Sequence, residues 1–411
     1  MGATERDQGH APYPDQVAIV GGGRWARVLV DVVSSLVPPS IGISVHSRSN
    51  ASAMSAWADA RGLGKRIQLS RDWPRPSGSG SCAVLIANAA RDHEAAVEWA
   101  LSFGFAVLVE KPLALTAAAA QRLADLAHER KARFAAAHVF LFARYIENYS
   151  SILAETGPIE SLRIEWTDPS SEERYGESKR YDASLPVFAD WLPHVLSIVG
   201  ALLPRAVESC RTVEVRKGGA EVKLELIAGD VPCVVRMERN AAQRRRIINA
   251  FCGKELIQLD FSTEPGTITH GSSAITGDPH WGSSMHPAPC MAAAFLRWAA
   301  GAESDARLDI ASGVRACKII DQVQTPYRSA VIPWLVSRLS GSLTLDDDLR
   351  YTLAEVLQTE APLTQGQVEQ QILALMTALS GSNGSHWTTA LTQAEDVVQL
   401  LRTLAASRST D

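Results

Sequence analysis

A chain of 411 residues, 46% hydrophobic and 21% charged, is long enough to bury more than one core, so a globular protein of two or more domains is expected. Its formal charge of −5 argues against a broad phosphate-binding surface and so against a nucleic-acid partner. The six cysteines (Cys82, Cys210, Cys233, Cys252, Cys290, Cys317) are scattered without a CxxC pair or finger spacing, the pattern of reduced thiols.

The first 14 residues form a polar leader without an apolar targeting core, and no later run approaches the roughly 18 apolar residues of a membrane span. A cytoplasmic protein with no membrane partner is expected. Gln16-Val17-Ala18-Ile19-Val20 reads as a buried strand. It runs into Gly21-Gly22-Gly23-Arg24-Trp25-Ala26, after which Val28, Leu29, Val32, Val33 and Leu36 recur at helical spacing until Pro38-Pro39. A strand over 41–46 completes a βαβ unit. A helix over 51–61 and a Pro/Ser/Gly-rich loop around 74–81 follow. Next come a strand over 82–87, a helix over 93–103 stopped by Gly104, a strand over 105–109, a helix over 117–131 and a strand over 134–138. The alternation predicts an α/β protein whose residues 15–138 form a Rossmann domain with a doubly wound parallel sheet.

The rhythm changes after Phe140. Short strands at 162–166, 212–215, 222–227, 231–236, 247–251 and 256–259, interrupted by a helix over 186–203, predict a second α/β domain over 139–327 with a large, mostly antiparallel open sheet. Residues 265–289, rich in Gly, Ser, Thr and His, read as a lid or a poorly ordered excursion. A helical C-terminal extension is expected over 328–411, with helices near 330–339, 349–358, 367–379 and 394–406. Capping boxes Thr364/Gln367 and Thr392/Glu395 open the last two. From Val331 onward there are four Lys/Arg against nine Asp/Glu, 4 − 9 = −5.

Gly21, Gly23 and Ala26 fit G-x-G-x-x-[G/A] between a strand and a helix, where glycines let a backbone turn approach a pyrophosphate at a helix N-terminus. Arg24 and Trp25 lie within the same turn. About twenty residues on, an NAD site would place an acid against the ribose 2′-hydroxyl; this chain has His46-Ser47-Arg48-Ser49-Asn50. Arg48, flanked by Ser47 and Ser49, suits a 2′-phosphate, which favours NADP over NAD. Lys111, in Glu110-Lys111-Pro112, directly follows an apolar strand, where open α/β sheets place ligands. A Lys111–Pro112 bond in cis would aim the lysine inward. Asp190 and His194 are i and i+4 and so share a helix face.

The Gly21 motif, the Val84-Leu85-Ile86-Ala87 strand leading to His93, Glu110-Lys111-Pro112, and Asp190-Trp191-Leu192-Pro193-His194 together resemble the Gfo/Idh/MocA oxidoreductase family over roughly residues 15 to 325. The resemblance implies a Rossmann domain followed by a domain whose open sheet supports the substrate site and often oligomerisation, so a homodimer or homotetramer is expected. It also implies that Lys111, Asp190 and His194 meet at the nicotinamide, with Asn88, His93 and Glu110 among the cofactor-loop residues. Where many relatives carry T-P before the loop to His93, this chain has Asn88-Ala89.

The expected function is transfer of a hydride between NADP and a secondary alcohol or ketone of a small molecule such as a sugar, nucleotide sugar, cyclitol or related metabolite. A histidine that titrates near neutrality suits the accompanying proton transfer, and a lysine suits charge developing on the oxygen. His138, Arg180 and Tyr181 are further candidate substrate contacts. The run Val139-Phe140-Leu141-Phe142 reads either as core or as the wall of a less hydrophilic pocket; the second keeps imine reduction in a natural-product pathway as an alternative. A non-catalytic NADP-binding sensor or scaffold is another, with the acidic tail recruiting a partner. His270, His280 and His286 match no metal-ligand spacing, so no metal is expected.

Overall fold

The computed structural model describes residues 13–75, 80–174, 177–178, 182–340 and 346–357, with a few positions between 359 and 370. In chain order the elements are β1 (Gln16–Val20), α1 (Arg24–Leu36), β2 (Gly42–His46), α2 (Ala51–Ala60), β3 (Ile67–Ser70), β4 (Cys82–Ile86), α3 (His93–Ser102), β5 (Ala106–Val109), α4 (Ala117–Glu129) and β6 (Phe134–Ala136). There follow α5 (Arg144–Thr156), β7 (Ser161–Asp168), β8 (Glu173–Arg174), β9 (Glu177–Ser178), α6 (Val187–Leu202), β10 (Val207–Arg216), β11 (Glu221–Ala228) and β12 (Val231–Arg239). The last are β13 (Arg245–Cys252), β14 (Glu255–Asp260), β15 (Thr267–His270), β16 (Ser273–Thr276), α7 (Pro287–Ala299), α8 (Ile310–Ser340) and α9 (Asp347–Leu357). They pack as two units, Met1–Glu147 with Asp278–Lys318, and Asn148–Gly277 with Ile319–Asp411.

In the first unit six parallel strands lie in the order β3-β2-β1-β4-β5-β6. The chain reverses its winding between β1 and β4, which opens a crevice at their carboxyl ends. Strands covered on both faces must be apolar throughout, and β4 shows why. Ala83 and Leu85 pack with Leu29, Val33 and Met54, while Val84 and Ile86 pack with Val97, Leu101 and Leu123. Strand β3 escapes sequence reading because Ile-Gln-Leu-Ser offers only two apolar residues at an edge.

Although late in the chain, α7 belongs to this unit. Met291, Phe295 and Leu296 join Leu29, Val30 and Val33 in one core. The packing is therefore interleaved where the sequence suggests contiguous blocks. Phe142 lies in the same core, with Val139 and Leu141 packed against it, and the Arg307 guanidinium sits 4.2 Å from the Phe142 ring centre. The hydrophobic run after His138 is thus core rather than pocket wall, and it lends imine reduction no support.

The second unit carries an eight-stranded sheet in the order β10-β11-β12-β7-β13-β14-β15-β16, antiparallel at every pair except β12 with β7. Residues 265–289 are not a structureless excursion. β15 and β16 form a hairpin turned at Gly271, whose φ of +58° favours glycine, and the polar composition hides this alternation from sequence. Helix α5 is tied to the sheet by Tyr149, whose hydroxyl donates to Ile257 O at 2.8 Å. No helix among the described residues is long and apolar enough to cross a membrane.

Part of the acidic extension docks on this second unit. Thr352 Oγ1 of α9 donates to Gly218 O at 2.7 Å, and Asn240 Nδ2 donates to Asp348 Oδ1 at 3.1 Å. The Thr364/Gln367 capping box forms, with Thr364 N–H donating to Gln367 Oε1 at 2.8 Å and Gln367 N–H to Thr364 Oγ1 at 3.3 Å. Apart from Gln367 and Gln370, the helix expected over 367–379 falls outside the described residues, as does that over 394–406 with Thr392/Glu395.

At this contact Tyr327, fully buried, donates to Glu355 Oε2 at 2.8 Å. Burial pushes the Glu355 carboxyl from the usual 4.5 up to about 7. Between those values the folded chain keeps a proton that the unfolded chain has lost, so stability falls as pH rises. Relative to Glu355→Gln, the wild type is expected to lose no more than about 3 kcal/mol of unfolding free energy on going from pH 4.5 to pH 7. Urea titrations of both chains at the two pH values check this; parallel pH dependence in the two would refute it.

Candidate active site

The turn after β1 is shaped by glycines with different tasks. Gly21 has φ +140°, and a Cβ there would stand 2.5 Å from Ala87 O, so the close approach of this turn to the end of β4 forbids a side chain. A Cβ at Gly22 would meet Ser47 Oγ at 2.2 Å. At Gly23 a Cβ would meet nothing within 4 Å, and the residue is exposed. Gly23 is the N-cap of α1, and no side chain caps the helix. The first N–H groups and the positive end of the helix dipole are therefore available to a phosphate. Ala26 is fully buried in the core, where its small side chain permits close packing of helix on sheet.

Trp25, in the first turn of α1, donates its indole N–H to Glu110 Oε1, joining the start of the helix to the end of β5. Arg24 beside it is half-buried. Glu110 also accepts from the Lys111 backbone N–H at 3.4 Å, Lys111 is half-buried, and the Lys111–Pro112 bond is cis. His93 is buried behind these residues. Its Nδ1 lies 2.8 Å from Pro112 O and its Nε2 3.3 Å from Asn88 O, and burial holds its pKa below the usual histidine range. As a neutral ring it donates one proton, and the shorter contact marks Nδ1–H as the donor. His93 thus joins the loops after β4 and β5. Asn88 donates through Nδ2 to Asp92 O at 3.4 Å, and its buried Oδ1 has no hydrogen-bond partner among the described residues.

At the end of β2, Ser47 is buried and accepts from Asn50 N–H at 3.2 Å, whereas Arg48 and Ser49 are exposed. The Arg48 guanidinium lies 5.4 Å from the centre of the Trp73 ring, within cation–π range. No carboxylate occupies positions 46–50. His138, just past β6, is buried with neither ring nitrogen hydrogen-bonded among the described residues, and burial pushes its pKa down to about 4. It is neutral at physiological pH.

In the second unit, α6 is buried on nearly every side, as its sequence Val-Phe-Ala-Asp-Trp-Leu-Pro-His-Val-Leu requires. Between Val187 and Val195 only Asp190 and His194 keep partial exposure. Ser197 Oγ donates to the His194 carbonyl at 2.8 Å, and Pro193 removes one intrahelical donor. The His194 ring lies 5.9 Å from that of Trp166 with 17° between their planes. Arg180 and Tyr181 fall outside the described residues. Of the three late histidines, His270 bonds Glu255, while the His286 ring stacks on Trp281 at 4.1 Å. Among the described residues no three His, Cys, Asp or Glu side chains group as metal ligands.

Residues 16–138 match the family model described as "Oxidoreductase family, NAD-binding Rossmann fold". Over these residues the chain carries a Rossmann domain of the kind found in the Gfo/Idh/MocA oxidoreductase family. It is an NAD(P)-dependent oxidoreductase. No curated protein matches it in sequence. Solved structures share its fold at low identity. A UDP-N-acetylglucosamine 3-dehydrogenase from Acidithiobacillus ferrooxidans is 19% identical, the match covering 75% of this chain and 96% of that one with a TM-score of 0.58. A 3-ketoreductase from Actinomadura kijaniata, solved with NADP and TDP-benzene, is 17% identical over 76% of this chain and 97% of its own, with a TM-score of 0.60. A biliverdin reductase from Synechocystis, solved with biliverdin and NADP+, is 18% identical over 75% and 98%, with a TM-score of 0.56.

The first unit of this oxidoreductase fits a dinucleotide on its own geometry. The space beside Gly23 is open, at an uncapped helix N-terminus and with an Asn88 oxygen that the described residues leave unmet. Sequence reasoning passed over Asp168, Arg246 and Trp166. The signal was present, because Asp168 continues the inward row of Leu162, Ile164 and Trp166, and an ionised residue in an inward row marks a buried pair.

Proposed function

We propose that this oxidoreductase uses NADP to interconvert a secondary alcohol and a ketone on a sugar, nucleotide sugar, cyclitol or related small metabolite. The observation that carries the chemistry is α6, a helix buried on nearly every side that leaves an aspartate and a histidine accessible one turn apart. The bound nicotinamide supplies the hydride acceptor or donor. His194 takes the hydroxyl proton in oxidation and returns it in reduction. Lys111 supplies positive charge at the carboxyl end of the parallel sheet, and Asp190 orients His194 or a substrate hydroxyl. Likeness to a UDP-N-acetylglucosamine dehydrogenase and to a ketoreductase solved with TDP-benzene supports a nucleotide-linked sugar ahead of the other substrates. The protein acts as a homo-oligomer in this reading.

Arg48 carries the cofactor preference. Its guanidinium pairs with the 2′-phosphate, and the lack of an acid at 46–50 leaves nothing to repel that charge. In fluorescence titrations NADPH is expected to bind more tightly than NADH, and Arg48→Ala to weaken NADPH about tenfold, the size of one lost charge-assisted bond, with little effect on NADH. Tighter binding of NADH by the wild type would overturn the assignment.

A further inference from the structure

Behind His194 lies a connected set of side chains that leads back to a fully buried carboxylate. Asp168 is 0% exposed and receives Arg246 Nη2 at 2.7 Å on each oxygen, with Arg244 Nη1 at 3.2 Å on Oδ1. Arg246 Nη1 donates to Thr167 O at 2.6 Å and to Arg245 O at 2.8 Å. A planar guanidinium bonded from both ends does not turn. It lies 4.3 Å from the centre of the Trp166 ring, its direct cross-strand neighbour, and 5.5 Å from that of Trp191. Phe261 packs on Trp166 edge to face, with ring centres 5.9 Å apart at 75°. The indole is thereby fixed, and the His194 imidazole is nearly parallel to it.

An imidazole on a helix has a broad, two-fold preference about its last torsion, so a half-exposed ring samples more than one plane unless something packs against it. General-base chemistry requires one plane, since proton transfer is governed by heavy-atom reach and direction. We propose that Trp166, immobilised by the Asp168–Arg246 pair, is the positioning residue for His194, holding its imidazole in the plane that proton transfer requires. The inference rests on the reading of His194 as the acid/base group. It adds a supporting chain behind that group, Asp168 to Arg246 to Trp166. In the strand rows that contain Trp166, Met237 and Ile248, the charged groups are Asp168 on β7, Arg246 on β13 and Arg239 on β12, whose Nη2 donates to Leu185 O at 3.0 Å; α6 itself carries Asp190, and Arg244 lies just before β13. The Arg246 guanidinium and the His194 imidazole thus both lie against the same indole.

Two-dimensional 1H–13C spectra of the full chain with 13C-labelled histidine, followed through a pH titration, test this. His194→Gln identifies the resonance. In the wild type the His194 Cε1–H signal is expected to show the ring-current displacement of a proton near an indole face. Trp166→Leu should abolish that displacement and move the His194 titration midpoint by at least about half a pH unit. Trp166→Phe, which keeps the fold with a smaller ring, should move both partway. Arg246→Lys, which keeps the charge, should leave the midpoint nearer the wild type than Arg246→Met. If Trp166→Phe leaves the His194 signal and midpoint at their wild-type values, the proposal is overturned, whether or not the leucine variant folds. A purely structural role would lower the melting temperature without moving the His194 titration. Turnover that survives His194→Ala sinks the acid/base reading instead, so the two failures are distinguishable.

Discussion

His194→Ala is expected to slow NADP-linked turnover by about 10²- to 10⁴-fold, the usual contribution of a positioned general acid/base. The loss should appear in kcat, with KM for substrate changing little, because the proton moves only as the transition state forms. The dependence of rate on pH should change shape in the variant, as expected when a group that exchanges a proton with substrate is removed. Lys111→Ala should lower kcat as well, by removing a cation from the carboxyl end of the parallel sheet. The measurement is steady-state turnover of any substrate the wild type accepts, followed by NADPH absorbance. Full turnover in both variants would falsify the assignment.

Asp168→Ala is expected to cost about 3–5 kcal/mol of stability, because it leaves an arginine charge buried without its partner. Arg246 is 3% exposed and Asp168 0%, so water cannot replace the lost carboxylate cheaply. The sheet is affected at its middle, since Asp168 ends β7, the strand joined to both β12 and β13. Arg244, also held by Asp168, loses a partner at the same time. A double variant, Asp168→Ala with Arg246→Met, should recover much of the loss, as the burial penalty belongs to the unpaired ion rather than to the shape of the site. Urea unfolding at pH 7 checks this through the midpoint at unchanged slope. A single variant as stable as the wild type would mean that the pair contributes nothing.

The first unit was legible in the chain because its strands are covered on both faces. Ala18-Ile19-Val20 and Val84-Leu85-Ile86 have no alternation to misread, and turn glycines punctuate them. The edge strand β3 is not legible on the same terms, since one covered face and four residues leave too little pattern. In the second unit the alternation of β11, Glu-Val-Lys-Leu-Glu-Leu-Ile-Ala, states its inward face plainly. β16, Ser-Ala-Ile-Thr, exposed throughout, states nothing. Packing that unites distant segments was illegible: Phe295 gives no sign that it will join Leu29 in one core. At the candidate site, the glycine turn follows from its motif between a strand and a helix, whereas Lys111 and the Asp190/His194 pair rest on the resemblance to the Gfo/Idh/MocA family. The support behind His194 depends on which strand lies beside β7, and that pairing is set by register across some eighty residues of intervening chain.

Of the three consecutive glycines, two answer to the fold. Gly21 and Gly22 are pressed against Ala87 and Ser47, and any chain adopting this turn would need them for its own stability. Gly23 answers to nothing inside the protein, because its φ of −81° and ψ of −177° suit any L-residue and the space beside it is open. Folding alone therefore leaves that position free to vary. What the missing side chain does there is keep the approach to the first N–H groups of α1 open, so Gly23 serves access to the helix end where its two neighbours serve the turn.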